Sequence, residues 1–434
     1  MSRTIAIDHL PRVEGHGGIW VEIEDDTVRD VQFRLFEGIR LVEGLVRGRG
    51  FNEVSQIVSR ICAICSVAHS LTSIKATEDA FGFQPDPQTV QLRDLMFRGE
   101  NIESHALHLF LLALPDYLGY PSAAAMATDH PEAVRLGLRL KKLGNSIQET
   151  IGGRAVHPVN AVVGGFGSLP TVDQLIALRN DLLVGVEDCA AVLDLIASLP
   201  AADFCDVETV YAAMRPAGTY GYYDGDILVI AEGGRRKSVS AADCGSVMAE
   251  RAVAYSHAKS SHCGGSPFMV GALARLAVNG KQLGGRAAQA VGDFGLGLPS
   301  PNPMDNNKAQ AVEIIFDVEQ ALLEVERLLD GSLAGAARST VQPRASRGVA
   351  VTEAPRGILI HSYEYDAHGN VVAADVVTPT AMNAASIENH IRCAIEQSAQ
   401  RNVPALTKKV EMIARAYDPC ISCAVHLVTG RRVD

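Results

Sequence analysis

Two short cysteine pairs, Cys62/Cys65 and Cys420/Cys423, stand near opposite ends of this 434-residue chain. Each is a Cys-x-x-Cys, a spacing that lets both sulfurs reach one metal ion. The pairs alone fit a structural zinc site with four cysteine ligands equally well. Zinc ribbons, however, bring their pairs together within ~15–20 residues. Here 355 positions separate Cys65 from Cys420, so a shared metal would join the two ends of a finished fold. That distance favours a centre in the core over a local staple.

The other five cysteines, Cys189, Cys205, Cys244, Cys263 and Cys393, are isolated and form no cluster-binding run of the iron–sulfur kind. An odd total of nine in a large acidic chain argues against a secreted disulfide framework. With 39 Lys+Arg against 50 Asp+Glu, the net charge of −11 lacks the basic field that a nucleic-acid or anionic-membrane partner requires. A chain that is 47% hydrophobic and 21% charged can bury a large core, which excludes intrinsic disorder. The opening MSRTIAIDHLPRVEGHGG has neither the apolar core nor the cleavage site of a signal peptide. No stretch approaches the ~18 apolar residues of a membrane span. A cytoplasmic protein with no direct membrane insertion is expected.

Patterning gives the architecture. TIAID, GGIWVEIEDD and TVRDVQFRLF alternate as strands around an Asp25-Asp26 turn. From about Glu43 to Ala336 the pattern turns helical. Leu92, Leu95, Met96, Ile102, Ala106 and Leu109 mark one face of a long helix after Pro87, and Ile315, Val318, Leu322, Val325 and Leu329 mark another that stops at Gly331. GILIHSYEYDAHGNVVAADVVT reads as a hairpin with Gly369-Asn370 in its turn. Helices over Asn383–Gln400 and Val403–Arg415 lead to the second cysteine pair. The expected fold is α+β and predominantly helical, a long-helix core with small antiparallel sheets near the N-terminus and at about 357–378. One domain should span 1–434, with strands over 1–42, a helical body over 43–336, and the hairpin, closing helices and second pair over 337–426.

A zinc staple has no need of the residues that flank the pairs. Arg60 precedes the first pair and His69 follows it, while Asp418 precedes the second and His426 follows. Arg12-Val13-Glu14-Gly15-His16 stands near the N-terminus and Glu353-Ala354-Pro355-Arg356-Gly357 nearer the other end. In this order the segments resemble the large, catalytic subunit of nickel–iron hydrogenases, over the whole chain. The one departure in the first pair, Ala63 where many relatives have Gly, is a small backbone change.

The resemblance implies that Cys62, Cys65, Cys420 and Cys423 are nickel ligands, Cys65 and Cys423 also bridging to an iron that carries two cyanides and a carbon monoxide. Soft thiolates suit a redox-active nickel. Glu14 is implied as the carboxylate that passes protons to and from a terminal nickel thiolate. Arg356 is implied as the guanidinium over the vacant metal positions, with Asp116 and Asp418 holding it. Pro379 and Thr380 would hydrogen-bond a cyanide, and Glu43 and His426 would bind a separate magnesium, or iron. His69, His157, His105 and His108 read instead as packing or hydrogen-bonding groups. The last eight residues, Leu427–Asp434, resemble a maturation peptide cut after His426 by a dedicated endopeptidase.

The implied activity is reversible heterolytic oxidation of dihydrogen. With no cluster-binding run and no Gly-x-Gly-x-x-Gly fingerprint, electrons are expected to leave through an iron–sulfur small subunit. A flavin or NAD(P) site would then lie on further subunits of a cytoplasmic, soluble-carrier-linked complex. A non-turnover hydrogen sensor would keep the same ligands. The quinone-site subunit of respiratory NADH dehydrogenase shares the implied fold, but generally lacks the four metal cysteines.

Overall fold

The computed structural model describes residues 2–25, 27–38, 41–331, 338–399 and 402–425. The N-terminal strands β1 (Ser2–Ile7), β2 (Gly17–Glu24) and β3 (Thr27–Leu35) form an antiparallel sheet in that order. Alternation decides which face is covered: Ile5, Ile7, Ile19, Val21, Ile23, Val31 and Phe33 are buried.

Long helices build the core. The helix α1 (Ser66–Phe81) starts directly after Cys65 and is buried on nearly every side. Next comes α2 (Pro87–Ala106), started by the Asp86 carboxylate, which accepts from the backbone N–H of Gln88 and Thr89. Its two interior arginines are paired: Arg93 with Glu78, and Arg98 with Asp94, Asp317 and Glu324. It runs on as a π-helical stretch, Leu107–Ala113. Against it lies α3 (Pro131–Gly152), where a Cβ at Gly144 would fall 2.4 Å from the Gly99 carbonyl oxygen, so the two backbones meet only because neither residue has a side chain. The body is completed by α4 (Val172–Ser198), α5 (Ala272–Asn279), α6 (Asp305–Asp330), α7 (Pro379–Glu396) and α8 (Val403–Ala416). Among the described residues no helix is long and apolar enough to cross a membrane.

The expected all-helical body is interrupted. Residues between α4 and α5 form β4 (Val210–Arg215), β5 (Asp226–Ile230), β6 (Arg236–Val239), the hairpin of β7 (Met248–Ala252) and β8 (Lys259–Cys263), and β9 (Phe268–Met269). Four of them make one sheet, ordered β9-β4-β5-β6, over a small core of Val210, Ala212, Ile227, Val229 and Phe268. Val210–Met214 and Ile227–Ile230 are continuous apolar runs buried on both faces, and such runs show no period of two to separate them from helix.

The hairpin over 357–378 is present as β11 (Gly357–Tyr365) and β12 (Val371–Val377). A third strand, β10 (Ser346–Ala354), pairs with the other edge of β11. Ala354 opposes Gly357 in that ladder, so Pro355 and Arg356 are the two residues of a tight turn.

Candidate metal centre

Four elements converge on the cysteines. Cys62 follows the 3₁₀ turn Ser59–Ile61, and Cys65 caps the start of α1. The carboxylate of Glu100, buried on α2, accepts from the N–H of Val67 and Ala68 and anchors that start. At the other end, Cys420 and Cys423 sit at the short helix Ile421–Ala424. Segment 11–16 threads beside it: Glu14 forms a parallel bridge with Cys420, and its carbonyl accepts from Ile421 N–H at 3.0 Å.

The ends of the chain thus meet as the sequence required. The four Sγ atoms all lie within 4.8 Å of one another, and all four residues are buried. Cys420 and Cys423 are 2.8 Å apart, Cys65 and Cys423 3.0 Å, and Cys62 and Cys420 3.3 Å. Burial, above all, pushes the Cys420 and Cys423 thiols well above their ordinary range. Cys62 is held well below it, first by its hydrogen bond with Cys420. Four buried sulfurs that cannot all ionise together lack positive charge at their centre. A multivalent cation supplies it, and this soft donor set fits nickel with iron.

The cation of the protein itself stands beside them. Arg356, 3% exposed, donates from Nη2 to Asp418 Oδ1 at 2.9 Å and from Nε to the Asp418 carbonyl at 3.2 Å. Its Nη1 is buried with no partner among the described residues, and the guanidinium interacts electrostatically with Cys420 and Cys65. Asp418 adopts a left-handed φ of 51° and takes a second bond from Gln310 Nε2 at 3.1 Å. His108 in turn faces Gln310 Oε1 at 2.5 Å.

Asp116 does not join this group. Its two oxygens take Arg12 and, at 2.6 Å, Arg415. It follows the π-helical stretch and faces Arg12 of the N-terminal segment and Arg415 of α8. It braces the strand-like segment that carries Glu14. Gln310 acts on Asp418, the carboxylate that holds Arg356.

Glu14 points both carboxylate oxygens at Ser422: Oε2 accepts from the N–H at 3.1 Å and Oε1 from the hydroxyl. Burial, then the charge of Cys62, raises its carboxyl above the usual range. Thr380 Oγ1 accepts from Cys420 N–H at 2.9 Å, with Pro379 in the first turn of α7 behind it. Glu43 lies apart, buried, accepting from Val376 N–H at 3.0 Å, and burial pushes its carboxyl up to about 7. His426 and the tail 427–434 lie outside the described residues.

The other histidines bond rather than gather. His69 faces His361 at 3.1 Å, His105 faces Glu313 at 2.8 Å, and His157 Nδ1 faces the Ser59 carbonyl at 2.9 Å. The sequence reading missed Glu100, Gln310, Ser422 and Arg275. Only Ser422 carried a signal, its place inside the second cysteine pair.

Comparison with known proteins agrees with this geometry. A family model described as nickel-dependent hydrogenase matches residues 40–142 and 234–426. The alpha subunit of sulfhydrogenase 1 from Pyrococcus furiosus is 40% identical over 428 residues, covering 98% of each chain. That of sulfhydrogenase 2 from the same organism is 37% identical, covering 98% of this chain and 99% of its own. The structure of an NAD+-reducing NiFe hydrogenase in the H2-reduced state superposes with a TM-score of 0.87 at 28% identity, over 98% of this chain and 99% of that one. A NiFeSe hydrogenase from Dm. baculatum, 22% identical with a TM-score of 0.78 over 98% of this chain and all of that one, shares the fold.

Proposed function

The chain belongs to the nickel-dependent hydrogenase family, and from that premise we propose that it is the catalytic subunit of a soluble-carrier-linked hydrogenase that oxidises dihydrogen reversibly. The observation that carries the reading is the buried quartet of thiols beside an arginine whose Nη1 has no partner among the described residues.

Cys62, Cys65, Cys420 and Cys423 would hold a nickel–iron centre, its iron bearing two cyanides and a carbon monoxide, which would supply the heterolytic cleavage of dihydrogen. The chain supplies the rest. Arg356 holds a fixed positive charge over the sulfurs, already oriented by Asp418, so no reorganisation is needed as charge develops. Glu14 would take the proton once a cysteine sulfur has accepted it as S–H, leaving that sulfur a thiolate; its raised pKa suits a carboxyl that must both accept and release a proton. Thr380, whose oxygen accepts from Cys420, keeps its own hydroxyl proton and would donate it to a cyanide, with Pro379 fixing the start of α7. Glu43 and His426 would hold a second metal, a magnesium or an iron.

The electrons leave through an iron–sulfur partner subunit. A groove of about 670 Å³ lined by Val42, Leu45, Gln56, Ile57 and Arg60 runs directly before Cys62 and offers it a docking face, with Leu45 58% exposed. The relatives are named as alpha subunits, and the superposed structure as NAD+-reducing, which supports further subunits carrying the flavin or NAD(P) site. We place the complex in the cytoplasm, and assign removal of 427–434 to a maturation endopeptidase.

Metal analysis of the intact complex, with hydrogen-dependent dye reduction, tests the reading. Nickel with iron and steady turnover are expected. Zinc in their place would make the cysteines a scaffold; nickel and iron without turnover would make the chain a sensor.

A further inference from the structure

The turn that carries Arg356 is gripped from behind by a second buried arginine. Arg275, on α5, is 0% exposed and has every one of its N–H donors engaged. Nε and Nη2 fork onto Glu313 Oε1 and Oε2 at 2.6 and 2.7 Å. Nη1 reaches Glu353 Oε2 at 2.9 Å and the Ala354 carbonyl at 3.0 Å, and Nη2 reaches the Pro355 carbonyl at 2.9 Å. Two of these five bonds therefore end on the backbone of the two residues immediately before Arg356. Glu313 is fixed in turn by His105 at 2.8 Å and by the Tyr220 hydroxyl at 2.5 Å.

The same helix start closes the other side of the turn. Gly357 has a φ of +128°, and a Cβ there would lie 2.7 Å from Gly271 N and 2.5 Å from Val270 Cγ2. Gly271, which precedes α5, abuts the Arg356 carbonyl in the same way, at 3.1 Å from its own ideal Cβ. Leu273 N–H donates to Asn306 Oδ1 at 2.9 Å, and Asn306 Nδ2 holds the Ala416 carbonyl at 2.8 Å, two residues before Asp418. The start of α5 thus registers both halves of the Arg356–Asp418 pair.

We propose that Arg275 is a positioning residue for the hydrogenase reaction: its fork clamps the Ala354 and Pro355 carbonyls and so fixes the place of the Arg356 guanidinium over the cysteines. It touches neither the sulfurs nor the space before them. The proposal rests on the reading of Arg356 given above, and deepens it. A lysine at 275 keeps the charge but has no planar fork, so it cannot hold Glu313 bidentately and both carbonyls at once.

The test uses Arg275→Lys in the full chain and in the assembled complex. Amide exchange of the metal-free chain reads the clamp by itself: the peptide around 354–360 should open at least ~10-fold faster, while α7 and α8 stay as protected as in the wild type. In the loaded complex nickel content should be unchanged, kcat should fall by ~10–100-fold, and KM for dihydrogen should hold, since a misplacement of about 1 Å can cost that much. The double variant Arg275→Lys/Arg356→Lys should be no slower than Arg356→Lys alone. Additive losses, or turnover within about threefold of wild type with the exchange unchanged, would overturn the proposal. Should Arg275→Lys fail to fold, Tyr220→Phe decides. It removes one bond to Glu313 but leaves all five Arg275 bonds in place and should stay within about threefold of wild type, so a loss of ~10-fold or more with nickel retained would assign the effect to the network around Glu313 and remove the clamp. A wild-type complex without nickel or turnover would end the functional reading and leave the exchange result standing.

Discussion

Replacing Glu14 with glutamine separates what this side chain does for the fold from what it does for the reaction. Both of its oxygens accept from Ser422, one from the N–H and one from the hydroxyl. Glutamine is nearly the same size. Its oxygen can keep the N–H, and its NH2 can donate to Ser422 Oγ once the hydroxyl rotates. Both charge-assisted bonds become neutral ones, a loss of about 2 kcal/mol. Burial already disfavours the Glu14 charge, so removing it returns part of that loss. The carbonyl that accepts from Ile421 is backbone and is untouched. Stability and metal content should therefore change little. A carboxamide cannot accept the proton, and general acid–base steps contribute ~10²–10⁴-fold, or about 3–5 kcal/mol at 1.36 kcal/mol per tenfold. The catalytic loss exceeds the structural one. The assay is hydrogen-dependent dye reduction by a variant complex whose nickel and iron are quantified alongside. A metal-replete Glu14→Gln complex turning over within about threefold of wild type would remove Glu14 from the proton path.

Cys423→Ser should lose nickel and with it both hydrogen–deuterium exchange and dye reduction, because a hydroxyl is a hard donor that remains protonated at neutral pH; normal exchange at full nickel content would refute the ligand assignment. His390, enclosed by Ser386, Tyr417 and Thr209, is held down to about 4 by burial. Its folded pKa lies below the unfolded value, so the unfolded chain binds the extra proton and stability falls as pH drops from about 6.5 towards 4, by at most about 3 kcal/mol. His390→Gln should flatten that part of a urea-melt pH profile, and an unchanged slope would show that the acid sensitivity lies elsewhere. Intact mass spectrometry of the active, nickel-loaded subunit should show a chain ending at His426; an active chain ending at Asp434 would defeat the maturation reading.

The parts legible in the sequence share one property: their signal is local or repeats at short range. The cysteine pairs, the Ala-Pro-Arg-Gly turn, the Gly369-Asn370 hairpin and the α7 and α8 helices each declare themselves within a few residues. The β4–β5 strands do not, because burial on both faces erases the alternation that identifies a strand. Asp116 enters through the family resemblance, and its ion pairs with Arg12 and Arg415 span 104 and 299 positions, which no local pattern in LHLFLLALPD announces.

The residues that hold the site are the least legible of all, and the reason is geometric. Arg275 sits in ALARLAVN, where a single arginine among apolar residues reads as the solvent side of an amphipathic helix. Its partners lie 38 residues away at Glu313 and 78 to 80 residues away at Glu353, Ala354 and Pro355. Glu100 reaches back 32 and 33 positions to the start of α1, and Gln310 reaches forward 108 to Asp418. No spacing rule connects such pairs, because each spans a different number of intervening elements. What can be argued from physics is the sign: a buried guanidinium or carboxylate is tolerated only where partners consume its charge and its hydrogen-bonding capacity. The cysteines state where the fold can hold a metal. The buried arginines and acids behind them state how firmly one side chain, Arg356, is aimed at the sulfurs.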